Sequence, residues 1–445
     1  MELKRSITLT GAIMINLGAI IGAGIFVIIG IAAYRAGPGV IISIVLSGII
    51  AILTGLSFSE IARHVAKEGG AYEYAKDTLS PSAGFVAGWM WTSGNIIAIA
   101  AVATSFGSYF DVLFNINVNP FFIAVICILA FMTLNILGIK NSTKTITGLV
   151  ILNVLVLLVF IFSGITRFNS NNYVNFMPHG ISGIITGTAL IFFAFTGFSR
   201  VTTVSDEVIN PEKTIPLAII VSIIISSILY ILIAVVLIGL KPYYAYQGST
   251  SPLSLAVSSL HNRYIDIIVS IGGVTSTAGV TLTGILGTSR VLFAMGRDKE
   301  LPEKLSYIDR FSTPVFAIIL SSILGIIFLI FVSFGTIVEA SNSSVLISYI
   351  IINVAAGFLY LKLRKRETKR LAGRPFFIII PALGIATILL IISHINIGSL
   401  EITGVILLIC IIYYIIRRIA LNIEGRRVPR HSDVRLFGKS RSRTN

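Results

Sequence analysis

Residues 6–34 read SITLTGAIMINLGAIIGAGIFVIIGIAAY, an uncharged run of 29 residues. A membrane-spanning α-helix needs roughly 20 apolar residues, whereas the apolar core of a secretory signal has roughly 7–15, so the run predicts a spanning helix. Three small residues, Gly22-Ala23-Gly24, stand together within it. Glycine weakens a helix interior by up to about 1 kcal/mol, and helix-packing motifs space their small residues by four. The contiguous triplet therefore favours a break in the helix over a packing motif.

The rest of the chain has the same character. Of its 445 residues 55% are hydrophobic and 12% are charged, against roughly 25% charged in a soluble domain. This composition argues against a soluble enzyme, a disordered protein and a disulfide scaffold, and it predicts an all-α polytopic membrane protein. We predict twelve transmembrane helices, at residues 9–34, 38–62, 82–112, 119–139, 145–166, 181–208, 214–240, 265–296, 314–335, 340–362, 376–395 and 400–418.

Charge sets the expected orientation. The net charge is +15, from 34 Lys and Arg against 19 Asp and Glu. With a cytoplasmic N-terminus, 30 of the 34 basic residues fall inside, which is the bias of cytoplasmic loops. We therefore expect a multi-pass protein of the cell membrane with both termini cytoplasmic, and we assign the basic tail, residues 421–445, to the anionic lipid surface rather than to nucleic acid.

A second interruption lies in the sixth span, where residues 192–198 read FFAFTGF. It stands five spans after the first, and an odd separation means that a repeat of spans 1–5 and 6–10 is inverted in the membrane. Paired interruptions of this kind mark the substrate site of transporters. The freed N–H groups of a broken helix suit a carboxylate and the freed carbonyls suit an ammonium, so the pattern favours an α-amino acid zwitterion.

Six motifs together resemble a known family. They are Gly18-Ala-Ile-Ile-Gly-Ala-Gly-Ile-Phe26, Glu68-Gly-Gly-Ala-Tyr-Glu-Tyr74, Gly84-Phe-Val-Ala-Gly-Trp89, Phe192-Phe-Ala-Phe-Thr-Gly-Phe198, Asp206-Glu-Val-Ile-Asn-Pro211 and Ser289-Arg-Val-Leu-Phe-Ala-Met-Gly-Arg-Asp298. Across roughly residues 8–310 the chain resembles the prokaryotic amino acid permeases of the amino acid–polyamine–organocation (APC) superfamily. The resemblance implies a secondary active transporter that works by alternating access.

The resemblance also implies a fold and a site. The fold is the leucine-transporter type, with a 5+5 inverted repeat over residues 1–362, broken spans 1 and 6, and spans 11 and 12 appended over residues 363–420. Backbone N–H groups of Ala23, Gly24 and Ile25 would receive the substrate carboxylate, and carbonyls of Ile20, Phe193 and Thr196 would receive the ammonium. Phe193 or Phe195 resembles an aromatic gate, and the predicted substrate-binding set is completed by Gly22, Asn95, Ala194 and Gly197.

Two departures from the family bear on coupling. Asn153 aligns with a lysine that couples protonation to transport in many relatives, and an amide cannot titrate in that way. Coupling to protons through another group, to sodium, or to exchange against a second amino acid therefore stays open. Thr281 and Thr283 in span 8 are candidate sodium ligands, although interhelical hydrogen bonding is the more ordinary role for such hydroxyls.

Arg200 has two interpretations. An arginine at mid-membrane is costly and should face water or a partner. We favour an inner-gate ion pair, with Asp206 or Glu207 as the nearby carboxylates, or a charge that lines the cavity. The alternative is recognition of an acidic substrate side chain.

Other classes of protein fit less well. A channel would show a filter or a ring of charge, a transporter-like sensor would carry an added signalling domain, and an enzyme would show a nucleophile–base or metal arrangement. The two cysteines, Cys127 and Cys410, lie in apolar runs and predict neither disulfide nor metal site. No cofactor or metal is expected, the expected partners are an amino acid and the lipid bilayer, and the sequence leaves the oligomeric state open.

Overall fold

The computed structural model describes residues 7–22, 24–65, 69–137, 142–311, 313–331, 334–366 and 376–423. Within these ranges the regular structure is helical, apart from one bridge that pairs Ile7 with Val208. The α-helices are α1 (Leu9–Ile20), α2 (Ile29–Ala36), α3 (Val40–Ala62), α4 (Ala71–Thr78), α5 (Pro81–Phe114), α6 (Pro120–Ile136), α7 (Ser142–Ile165), α8 (Gly180–Phe195), α9 (Pro211–Leu240), α10 (Pro252–Val257), α11 (Arg263–Arg297), α12 (Val315–Phe331), α13 (Phe334–Arg366), α14 (Phe376–Ile392) and α15 (Ile397–Ile423). A π-helix spans Gly24–Ile28, and 3₁₀ helices span Gly37–Gly39, Ser170–Tyr173, Thr196–Glu207, Tyr243–Tyr246, Ser258–Leu260 and Glu303–Ser306.

Several long helices begin at sequence-encoded caps. The Ser80 hydroxyl accepts from the N–H of Ala83 at the start of α5, and a proline follows the cap. The Asn119 side chain does the same for Phe121 at the start of α6. Such caps satisfy N–H groups that the first turn of a helix leaves unpaired, so they define where these helices begin.

The helices match the apolar runs of the sequence. In the part of the chain that the structure describes, eight helical segments are long and apolar enough to cross a membrane, and the first of them, Leu9–Ala62, covers two predicted spans. Three shorter apolar helices lie at Pro120–Ile136, Val315–Ile330 and Ile378–Ile392. These helices make the chain a polytopic α-helical membrane protein, and the count of twelve spans stays a prediction.

The last helix runs further than predicted. The expected limits of span 12 were residues 400–418, but α15 continues to Ile423. Arg417 pairs with Glu300, and Arg418 donates to the Tyr414 hydroxyl at 2.9 Å, so both charges have partners without ending the helix. Residues 424–445 of the predicted basic tail lie outside the described residues.

Serine hydroxyls join the helices of the interior. Ser43 and Ser47 of α3 donate to the carbonyls of Ile184 and Thr188 of α8 at 2.8 and 2.9 Å. Ser341 of α13 donates to a carbonyl of α5 at 2.7 Å. Because apolar lipid supplies no hydrophobic force between helices, such contacts and close packing hold a membrane bundle together.

An ion-pair cluster joins α4 to the end of α11. The carboxylate of Glu73, which is 1% exposed, lies 3.2 Å from Lys76 Nζ and 3.1 Å from Arg297 Nη2. Lys76 also pairs with Asp298, to which the Tyr72 hydroxyl donates at 2.8 Å. Burial alone would raise the pKa of Asp298, but the hydrogen bond and charge of Lys76 outweigh it and hold that pKa below its usual range. Asp298 therefore stays ionised near neutral pH, and the cluster ties two distant motifs into one unit.

Candidate functional site

The first span is interrupted in the middle of the bundle. Helix α1 ends at Ile20, and the chain resumes as the π-helix Gly24–Ile28 before α2. Ala23, a predicted carboxylate-binding residue, lies outside the described residues. A methyl group on Gly22 would lie 1.9 Å from Val280 Cγ2 of α11, so this glycine lets the interruption pack against that helix.

Residues 181–208, predicted as one span, change helix type along their length. Helix α8 ends at Phe195, and Thr196–Glu207 continues as a 3₁₀ helix whose residue Val204 has non-helical backbone angles. The tighter 3₁₀ winding shifts the carbonyls out of the α-helical hydrogen-bond register. Backbone groups at this depth must then find partners inside the protein.

The two interruptions cross in direct contact. A methyl group on Gly24 would lie 2.2 Å from Ala194 Cβ and 2.6 Å from Ala194 Cα. One on Gly197 would lie 2.6 Å from the carbonyl carbon of Ala19 and 2.7 Å from its oxygen. Each break therefore places a glycine against the backbone of the other span, and only glycine permits this separation.

The three carbonyls predicted to receive an ammonium already have donors. Ile20 O accepts from the Tyr230 hydroxyl at 2.5 Å and from the N–H of Gly22 at 2.8 Å. Phe193 O accepts from the hydroxyl of Thr196 at 2.7 Å and from its N–H. Thr196 O accepts from the Tyr349 hydroxyl at 2.8 Å and from Ser199 at 3.3 Å. Since a carbonyl has two lone pairs, these acceptors are saturated in this conformation.

The two candidate gate residues differ in their surroundings. Phe195 is fully buried, with its ring 5.3 Å from that of Tyr230. Phe193 is 7% exposed. Phe195 is thus a packing residue of the interior, and Phe193, also buried, keeps a small exposed fraction.

Asn95 lies beside Arg200. The Arg200 Nη2 donates to Asn95 Oδ1 at 2.9 Å, while Asn95 Nδ2 donates to the Trp91 carbonyl at 2.8 Å. The guanidinium carbon also lies 5.2 Å from the centre of the Trp91 ring. Trp91 is itself 3% exposed, so its ring lies in the core.

Asn153 is buried against α11. Its Oδ1 accepts from the Thr275 hydroxyl at 2.9 Å. Ser276, which follows Thr275 on α11, donates to Ile21 O of the first break at 3.4 Å. Asn153 is therefore linked to the break indirectly, through the adjacent residues Thr275 and Ser276. Its coupling role stays a prediction.

The hydroxyls of the candidate sodium ligands donate hydrogen bonds within their own helix. Thr281 donates to Thr277 O at 2.9 Å, and Thr283 donates to Gly279 O at 2.8 Å. The hydroxyl of Thr281 also contacts Cys127 of α6. Among the described residues of α11, Ser276 is the hydroxyl that reaches the first break, so a cation site there would draw on Ser276 before either threonine.

Sequence reasoning missed the side chains that hold the crossing. Tyr230 and Tyr349 come from α9 and α13 and reach the backbone of the two breaks. Asn16 of α1 accepts from the N–H of Val201 at 3.0 Å and ties the first span to the 3₁₀ segment. Their only sequence signal is a polar group inside an apolar run, which marks a partner without identifying it.

Comparison with known proteins identifies the family of this chain. The amino acid permease family profile matches residues 11–433, and the chain therefore belongs to the amino acid permease family. The proteins of this family and the relatives below are permeases and transporters rather than enzymes.

Named relatives differ in what they carry. The chain is 30% identical to the branched-chain amino acid permease BcaP of Bacillus subtilis (strain 168) over 425 residues, covering 89% of each protein. It is 31% identical to the methylthioribose transporter of the same organism over 399 residues, covering 85% of this chain and 86% of the relative. It is 28% identical to cationic amino acid transporter 1 of Arabidopsis thaliana, covering 80% of this chain and 62% of the relative.

We predict that the crossing can be tested by exchanging residues across it. Gly24→Ala should destabilise the protein by about 1–3 kcal/mol through overpacking, and adding Ala194→Gly should recover part of that loss because it removes the nearest atom. The free energies of unfolding of the wild type, the two single variants and the double variant, measured in detergent, give the coupling energy.

The second contact is the matched control. Ala19→Gly should rescue Gly197→Ala less, because it removes the Ala19 Cβ at 2.8 Å but leaves the closer carbonyl carbon and oxygen of Ala19, at 2.6 and 2.7 Å, in place. Equal rescue at both contacts, or at neither, would contradict the described crossing.

Proposed function

We propose that this chain is a secondary active transporter that moves amino acids across the cell membrane by alternating access. Its twelve spans would form a 5+5 inverted repeat over residues 1–362, with two appended spans over 363–420 and a basic tail over 421–445. Both termini would be cytoplasmic. The substrate zwitterion would bind where the breaks of spans 1 and 6 cross.

The observation that carries this proposal is the crossing itself. Irregular backbone at membrane depth persists only where it is buried in protein or lines a cavity, and such half-helices form the ion and substrate sites of transporters. The contacts of Gly24 with Ala194 and of Gly197 with Ala19 bring both interruptions to one place. Family membership supports amino acids as the cargo.

Substrate binding at this site would require an exchange of hydrogen bonds. N–H groups of the first break, from Ala23, Gly24 and Ile25, would receive the carboxylate. The ammonium would have to displace existing donors from saturated carbonyls, above all the hydroxyls of Tyr230 and Tyr349. Because these tyrosines belong to α9 and α13, such an exchange would loosen the two breaks from neighbouring helices as the substrate binds.

Uptake by the purified, reconstituted full chain tests the function. Proteoliposomes should accumulate at least one of the standard amino acids, with proton gradients, sodium gradients and internal amino acid imposed separately. Saturable binding without uptake under all three conditions would favour an amino acid sensor. Failure to bind or move any amino acid would refute the proposal.

The gate prediction concerns Phe193 and Phe195. Phe193→Ala should reduce uptake while the dissociation constant changes by less than about tenfold, or ~1.4 kcal/mol, because closure over the substrate belongs to translocation. Phe195→Ala should instead lower stability, by about 3–5 kcal/mol, because it removes a fully buried ring. Normal uptake by a stable Phe193→Ala protein would place the gate elsewhere.

The coupling prediction concerns Asn153. Asn153→Lys should make uptake newly pH-dependent or block it, because burial lets a lysine switch between charged and neutral forms. Asn153→Leu is the control, since it removes the amide without adding a titrating group. A lysine variant with the rate and pH profile of the wild type would show that position 153 is not coupled to the site.

A further inference from the structure

Arg200 carries donors that nothing in the described structure receives. Its Nη2 donates to Asn95, but its Nε and Nη1 are shielded from solvent and have no hydrogen-bond partner. A guanidinium has five N–H bonds, one on Nε and two on each Nη, so most of this group is unsatisfied. Leaving charged donors unpaired in a membrane interior is costly, and natural sequences retain such a group where it meets a ligand or an ion pathway.

The expected ion pair of Arg200 is not formed by the described residues. Glu207 lies 4.0 Å from Nη2 of Arg290 instead. Among the described residues no carboxylate, Asp206 of the same 3₁₀ helix included, lies within ion-pair distance of Arg200. The described residues therefore do not form the expected ion pair, and Arg200 instead contacts the Asn95 amide and the Trp91 ring.

The surroundings of Arg200 hold the guanidinium in place beside the predicted substrate site. The Trp91 ring lies 5.2 Å from the guanidinium carbon, and Asn95 accepts from Nη2. On α11, the missing side chain of Gly287 leaves room for the guanidinium, because a methyl group there would lie 2.4 Å from Nη1. Arg200 follows Thr196 by four residues on the 3₁₀ helix that continues from the second break.

We propose that Arg200 binds a carboxylate on the side chain of the substrate, so that the cargo is an acidic amino acid. This inference rests on the proposed function and adds the substrate class to it. The backbone at the breaks would hold the zwitterion, and the free Nε and Nη1 would receive the second carboxylate in charge-assisted hydrogen bonds. Family membership leaves the side chain open, because the named relatives carry branched-chain, sulfur-sugar and cationic substrates.

Glutamate and glutamine form the decisive pair of probes, because they differ in charge at nearly equal size. Binding of labelled L-glutamate to the full chain in nanodiscs should be about 10–100-fold tighter than binding of L-glutamine, the range expected for hydrogen bonds to a charged group. L-aspartate against L-asparagine repeats the comparison with a shorter side chain.

Three variants separate the arginine from the rest of the site. Arg200→Gln should weaken glutamate binding about 10–100-fold and leave glutamine binding within a few-fold, while Arg200→Lys should retain part of the preference. Gly287→Ala keeps the charge but pushes on Nη1, so it should also reduce the preference for glutamate. Arg167→Gln, the same change at an exposed loop residue, is the control and should leave both affinities unchanged.

The outcomes distinguish failure of this inference from failure of the proposed transport function. Transport of neutral amino acids with no preference for glutamate over glutamine would overturn the role of Arg200 and leave the transporter intact. An equal loss of both ligands in Arg200→Gln and Arg200→Lys would also overturn it, because Arg200 would then be a structural residue. If no amino acid binds, the proposed function fails first. The wild-type preference stands as a test even if Arg200→Gln does not fold.

Discussion

The close approach of two interrupted helices is the constraint on which the rest of this structure depends. Gly24 lies against Ala194 and Gly197 lies against Ala19, so each span passes the other at the distance of backbone contact. Neither span can remain a regular α-helix through that point and keep its neighbours. The π-helix after the first break and the 3₁₀ helix after the second are the local forms that the chain takes on leaving the crossing.

Where two interrupted helices cross, backbone N–H and C=O groups lose their helical partners, and lipid and apolar side chains offer no replacement. The protein meets this requirement with hydroxyls from distant helices, since Tyr230 reaches Ile20 O and Tyr349 reaches Thr196 O. Serines of α3 play the same part along α8. The interior therefore depends on a few long-range hydrogen bonds, and each of them is also a contact that a bound zwitterion would compete for.

Arg200 stands apart from this pattern. The described carbonyls at the breaks have their donors, whereas the Nε and Nη1 of Arg200 have no acceptor. An unsatisfied carbonyl could be relieved by a small tilt of a neighbouring hydroxyl, but a guanidinium needs an anion or several acceptors. These unsatisfied donors are the ground for the proposal that Arg200 receives a carboxylate of the ligand.

Sequence alone determined the class of the protein and the location of its helices. Apolar length and charge depletion are local properties, so most helices fall on the runs that predicted them, and the end of α15 differs because Arg417 and Arg418 found partners in the fold. The motifs at residues 18–26 and 192–198 predicted interruptions, and family comparison confirmed the family that these motifs resemble.

Only the tertiary structure decided which groups meet at those interruptions. Tyr230, Tyr349 and Asn16 are ordinary polar residues in apolar runs, and their partners lie between 153 and 210 positions away in the sequence. The same holds for Arg200, whose expected carboxylate partner on its own helix gave way to Asn95 of α5. The type of a residue and its local sequence determine which hydrogen-bond or charge partner it requires. Which atom becomes that partner depends on distances that arise only when the helices pack.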